Sequence, residues 1–283
     1  MRYIIFLCAF FMTMNTAFLF AADDVRIFVN EVTDNRSTGY SSGCNVKLSF
    51  FGDIIESARG IKSIQLKKAI DNTGRDIKCS KDKIGYEKKR DDENKIEVPV
   101  NLKNPSRNAT AIKELSGVAE LYIPKRDRDS IVRIKNFMKH LGEPIVSPIL
   151  KNSKIEVIIF TKEEYEEYKR KKEEEAKDKE AEQIKEGLSE AFEGFFGGFF
   201  GGSTDEKNSL VFLINDPEER FLEFSFLDSE GEQIKTEGCT WTSDYRKYNF
   251  SELPPDDAEL LIYISTPKSI KKVEFKLTDI TLP

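Results

Sequence analysis

The chain is expected to be mainly β: two tandem immunoglobulin-like antiparallel β-sandwich domains, the second carrying a long helical insertion. Three observations point there. Short apolar runs broken by polar residues recur along most of the sequence. A turn motif and a strand motif each appear twice, once in either half. One long stretch abandons both patterns for an almost unbroken series of Glu and Lys.

The opening residues come first. Arg2 precedes an apolar run from Tyr3 to Phe11, continued through Phe18 and Phe20 to Ala21-Ala22-Asp23-Asp24. A basic start, an apolar centre, small residues and then a polar chain is the order of a secretory signal peptide, here residues 1–22. Thr13, Asn15 and Thr16 interrupt the run, which makes it a poor permanent span. Left uncleaved, it would act as an N-terminal membrane anchor. The expected address is exported: periplasmic, cell-surface or secreted.

The remainder is long enough for one large or two ordinary domains. A net charge of -6 argues against nucleic acid as a partner, because phosphate contacts need a basic surface. In an oxidising compartment, Cys44, Cys79 and Cys239 suggest one disulfide and one spare thiol, with Cys44–Cys79 the expected pair.

Strands are expected at Val25–Val29, Val46–Phe51, Ile61–Ile70, Ile96–Leu102 and Val118–Ile123 in the first half. The second half repeats the pattern at Ile155–Phe160, Leu210–Ile214, Phe221–Leu227, Leu260–Ile264 and Val273–Leu277. Runs of this length, rich in β-branched and aromatic residues and bounded by Gly, Pro, Asn and Asp, are strand-like. Their regular spacing suggests packed antiparallel sheets.

The halves also match. Ala119-Glu120-Leu121 and Ser130-Ile131 find Ala258-Glu259-Leu260 and Ser269-Ile270 in one register without a gap. Asp71-Asn72-Thr73-Gly74 with Ile77 parallels Asp228-Ser229-Glu230-Gly231 with Ile234. Asp opening a turn and Gly where φ is positive predict the same tight hairpin in each half. The domains are therefore expected at 23–148 and 149–283, the second interrupted by 161–208.

Within that insertion, Lys162–Glu186 holds Glu–Lys pairs four apart and no helix breaker, which predicts a solvated helix of coiled-coil composition. Beyond it, Ile184, Leu188, Phe192, Phe195, Phe196, Phe199 and Phe200 fall on one helical face, with Gly between them. Such a face needs cover from the chain's own domains, a second copy or a lipid interface, so self-association and membrane contact are both expected uses, the alternative being a flexible Gly-rich linker.

Catalytic patterns are weak. Gly39-Tyr40-Ser41-Ser42-Gly43 matches a nucleophile elbow, but a strand follows it where that motif requires a helix. The single histidine, His140, and the scattered cysteines form no zinc set, and no cofactor motif is present. Asp91-Asp92-Glu93 and Asp127-x-Asp129 lack the calcium-loop pattern. Trp241, Tyr245 and Tyr248 form a possible aromatic strip for a protein or glycan ligand, the alternative being sandwich core. The expected function is non-enzymatic binding or scaffolding at or beyond the cell envelope. A membrane-associating role for the Phe-rich face comes next and a carbohydrate-acting hydrolase third.

Overall fold

The computed structural model describes residues 25–37, 42–79, 83–90, 93–180, 208–242 and 244–283, and the chain is mainly β, in several antiparallel sheets. In the first half, strand β1 (Arg26–Asn35) pairs with β2 (Gly43–Phe51). A short helix, α1 (Asp53–Ser57), leads to the long β3 (Gly60–Asp71), and two-residue strands β4 (Lys83–Ile84) and β5 (Glu87–Lys88) line its edge. Then come β6 (Ile96–Leu102), β7 (Ala111–Tyr122) and β8 (Ile131–Lys135). Alternation decides which faces turn inward: Cys44, Val46, Leu48 and Phe50 of β2 are buried, while Lys47 pairs with Glu31 at the surface.

The second half runs from α2 (Pro148–Asn152) through β9 (Glu156–Thr161) into α3 (Lys162–Glu180). A capping box starts α3. Thr161 Oγ1 accepts from the Glu164 N–H at 3.2 Å, and Glu164 Oε2 accepts from the Thr161 N–H at 2.8 Å. Tyr165 and Tyr168 then lay the first turns on Phe160, Val211 and Tyr245, and burial raises the Tyr165 phenol to about 12. The chain resumes as β10 (Ser209–Asn215), β11 (Phe221–Leu227), β12 (Gly238–Trp241), β13 (Tyr245–Asn249), β14 (Glu259–Ile264) and β15 (Ile270–Thr281).

Four sheets result, ordered β1-β2-β6, β15-β7-β3-β4 with β5 also on β3, β12-β13-β10-β9, and β11-β14-β8. The first two enclose one apolar core and the last two another, so the chain builds two β-sandwiches. The expected division at residue 148 does not follow them. β8 leaves the first half and pairs with β14, and β15 leaves the second half and pairs with β7. Each sandwich is closed by a strand from the other half: Val132 is buried in the second core, Phe275 and Ile280 in the first.

The exchange is symmetrical. Ile270 faces Tyr122 where β15 enters the first sandwich, and Ile131 faces Tyr263 where β8 enters the second. The matching stretches are therefore Leu121-Tyr122-Ile123 and Ile262-Tyr263-Ile264, two residues out of step with the Ala-Glu-Leu match read from sequence. The link from Tyr122 to Ile131 is two residues longer than that from Tyr263 to Ile270. A two-residue slip keeps every side chain on its own face, so the sequence match conceals it.

The paired turns are the same structure. The Asp71 N–H donates to the Arg75 carbonyl at 3.0 Å, and the Gly74 N–H to the Asp71 carbonyl at 3.1 Å. Likewise the Asp228 N–H donates to the Glu232 carbonyl at 2.9 Å, and the Gly231 N–H to the Asp228 carbonyl at 3.1 Å. Gly74 and Gly231 sit at φ of 89° and 86°, where a side chain would be strained.

Candidate ligand cleft

The two sandwiches meet along the outer face of the β11-β14-β8 sheet. Tyr122, Leu222, Leu261 and Tyr263 form a small apolar core there. Around it Glu223 of β11 accepts from the Arg59 guanidinium and from the Tyr86 hydroxyl at 3.0 Å, and lies 3.6 Å from Lys88 Nζ. Arg59 also stacks over the Tyr263 ring at 3.7 Å and donates to Ser225 Oγ at 3.2 Å. Charge, aromatic and hydroxyl groups of both halves are thus tied at one point, and burial drives the Tyr86 phenol well above its usual value.

Beside this junction a cleft of about 530 Å³ opens between β11 and β12. One wall is Tyr86, Glu87 and Lys88 of the first sandwich, the other Cys239, Trp241, Arg246 and Tyr248 of the second. Pairing sets the second wall: Trp241 lies opposite Arg246 and Cys239 opposite Tyr248, and cross-strand partners share a face. Trp241 is 66% exposed. The Arg246 guanidinium lies 5.3 Å from the Trp241 ring centre and 5.5 Å from that of Phe221, within cation–π range.

Arg246 donates to the carbonyls of Thr242 and Tyr245, the latter at 3.0 Å. Burial lowers its pKa, and the field of nearby Tyr248, Cys239 and Asp244 opposes the shift. Among the described residues it forms no ion pair with a carboxylate. Tyr248 and Cys239 are cross-strand neighbours, and desolvation raises both groups. A raised thiol is the reverse of what a nucleophilic cysteine needs.

The expected aromatic strip is divided by this arrangement. Trp241 and Tyr248 line the cleft, whereas Tyr245 lies on the opposite face of β13, buried under α3 against Tyr165 with ring centres 5.8 Å apart. Residues three apart on a strand point to opposite sides, so Tyr245 and Tyr248 cannot share a surface. The same parity, applied to Arg246 two residues before Tyr248, is the signal that would have placed this guanidinium in the site.

The expected disulfide is absent: Cys44, Cys79 and Cys239 are all free thiols. β2 turns Cys44 into the first core, where burial raises its thiol to about 11, while Cys79 follows the Asp71 turn half-buried. The Phe-rich face from Ile184 to Phe200 lies outside the described residues, as do residues 1–22, Ser41 of the elbow match, and Asp91 and Asp92. His140 is the exposed last residue of a 3-10 turn anchored by the buried Phe137. Asp127 caps a turn, accepting from the Asp129 N–H and the Thr266 hydroxyl. Among the described residues no group of three or more His, Cys, Asp or Glu is placed to hold a metal. A second groove, of about 550 Å³ between β1 and β15, is lined mainly by aliphatic residues such as Ile27, Val29 and Leu277. It brings together no comparable set of aromatic and charged groups.

No known protein family matches the chain, and no curated protein matches it in sequence.

Proposed function

We propose that this is an exported, non-enzymatic binding protein that holds its ligand in the cleft at the junction of its two sandwiches. One observation carries the reading: an exposed Trp241 stands beside a half-buried Arg246 that has no carboxylate partner among the described residues. Desolvating a cation that no carboxylate pairs with directly is costly, and leaving an indole face in water forgoes its burial. A ligand with a flat or apolar part and an acidic group relieves both.

Two further features support it. Export rests on the signal-like order of residues 1–22. An immunoglobulin-like build, as a pair of related sandwiches, is supported by strand order. The second sandwich, β9-β10-β13-β12 over β11-β14-β8, has the arrangement of a constant-type domain, four strands against three. In such folds ligands are held by edges and loops, and the cleft lies along one edge.

The test uses the single tryptophan of the chain as reporter. Panels of oligosaccharides and short peptides are titrated into the mature chain while Trp241 emission is followed. Saturable shifts that disappear in Arg246→Gln support the cleft as the site. Indifference of Trp241 to every compound of both panels overturns it. N-terminal sequencing of protein recovered outside the cytoplasm, with Asp23 expected first, tests export.

A further inference from the structure

The two sandwiches differ in one respect that bears on the ligand. In the first, the edge of β3 is covered: Glu87 pairs with Ile61, Lys88 with Gly60, Ile84 with Ile64 and Lys83 with Gln65. β11 is the counterpart of β3 in the second. Gly60 and Glu223 face the equivalent tyrosines Tyr122 and Tyr263, and Ile61 and Phe224 face Leu121 and Ile262. Further along, Ile64 corresponds to Phe226 and Gln65 to Leu227.

At Phe226 and Leu227 the edge of β11 is covered by its own chain, through the Leu227–Gln233 bridge and the Ile234 N–H donating to the Phe226 carbonyl at 2.9 Å. Past Ile234 the backbone departs to the opposite sheet as β12. Nothing among the described residues takes the place against Glu223 and Phe224 that Glu87 and Lys88 take against Gly60 and Ile61. Because the Phe226 carbonyl points to the free edge, the N–H and C=O of Phe224, two residues before it, point there as well. That vacant strand position is the floor of the cleft, with Tyr86 and Lys88 on one side and Trp241 and Arg246 on the other.

Building on the cleft as the ligand site, we infer that the ligand is an extended, acidic peptide segment of a partner protein, which adds to the free edge of β11. Backbone hydrogen bonds to Phe224 supply the docking common to strand addition, and side chains on alternate sides supply selectivity. On the inner side an acidic residue meets the Arg246 guanidinium, whose planar fork suits a carboxylate. On the outer side Lys88 already lies 3.6 Å from Glu223, so the preference for an acidic residue rests on Arg246. A sugar would use Trp241 and Arg246 but has no use for an unpaired strand edge.

The experiment selects binders from a random hexapeptide library, acetylated and amidated at the ends, against the mature chain. Trp241 emission and the alkylation rate of Cys239, an exposed thiol in the cleft wall, give independent readouts. Expected are peptides enriched in Asp or Glu that slow Cys239 alkylation at least tenfold at saturation. N-methylation of alternate peptide residues should weaken binding tenfold or more and leave their neighbours tolerant. Arg246→Gln should weaken the acidic peptides tenfold but not their amide analogues, with circular dichroism confirming the fold. Tolerance of N-methylation at every position overturns strand addition, as does a library that yields no peptide protecting Cys239. If oligosaccharides protect Cys239 where peptides do not, the cleft stands as the site and the peptide is wrong. If neither class does, both readings fall.

Discussion

The hydroxyl of Thr266 donates to the carboxylate of Asp127 at 2.7 Å, joining the two links at which the sandwiches exchange strands. The residues hold the same place in their halves. Asp127 opens a turn closed by the Ser130 N–H, and Thr266 one closed by the Ser269 N–H, each at 3.1 Å. The Ile123 N–H also donates to the Ser269 carbonyl at 2.8 Å, so the links are fastened to each other where they cross.

Thr266→Val should therefore destabilise the whole chain, by about 1–2 kcal/mol, the order of a hydrogen bond to a charged group. The Thr266 hydroxyl is the first cause holding the Asp127 carboxyl below its usual range. A depressed pKa contributes stability that is present above the unfolded value, near 3.9, and is lost as pH falls through the folded value. Urea midpoints should show the full deficit at pH 7 and a shrinking one below about pH 4. An unchanged deficit across that range would remove the carboxylate from the account.

Ending the chain after Ser265 removes β15, which is remote from the first half in sequence but forms its sheet. Amide exchange should lose protection along β7, from Ala111 to Tyr122, because β15 pairs with it and buries Phe275 and Ile280 in that core. Protection along β14 should persist, since β8 and β11 still flank it. Selective loss in the second sandwich would contradict the exchange.

The twin turns should differ in cost. Asp71 is fully buried and accepts from the N–H groups of Thr73, Arg75 and Ser106 at 2.9, 3.0 and 2.8 Å. Burial pushes its carboxyl up, but these bonds outweigh it and hold the pKa far below the usual range. Asp228 accepts from the N–H groups of Glu230 and Glu232 at 3.0 and 2.8 Å, with no equivalent of Ser106 among the described residues. Asp71→Ala should cost about 2–4 kcal/mol and Asp228→Ala about 1 kcal/mol, by thermal or urea unfolding. The Asp71 contribution is expected to survive well below pH 3.9 before it fades.

Trp241 and Tyr245 make a further contrast. Trp241→Ala should change stability by less than about 0.5 kcal/mol, as an exposed substitution does, yet abolish ligand-induced changes at Cys239. Tyr245→Ala should cost about 3 kcal/mol, because the ring is packed between β10 and α3, and leave binding intact. Equal stability losses would mean that both rings are structural.

Much of this was legible in the chain itself. The strands at Val46–Phe51 and Ile96–Leu102 could be read from the chain, because a run of β-branched and apolar residues is a property of each strand alone. Asp71 and Asp228 announced matching turns, because the backbone bonds of such a turn are made within five residues of chain. Thr161 and Glu164 hold the start of α3 for the same local reason. Strand parity, had it been applied to β13, separates Tyr245 from Tyr248 without any structure.

Partner choice between distant strands was decided only by the tertiary structure. β8 and β15 begin with the same Ser-Ile pair, and either presents apolar residues suited to either core. Nothing in their alternation says which sheet each will close. That depends on where the links from Tyr122 and Tyr263 lead, and on the hydrogen bonds by which Asp127, Thr266 and Ser269 fasten them at the crossing. The cleft follows from the same level of structure. Arg246, Tyr86 and Phe224 lie far apart in sequence, and they border one site because the exchange fixes the two sandwiches side by side, with the edge of β11 at Phe224 unpaired among the described residues.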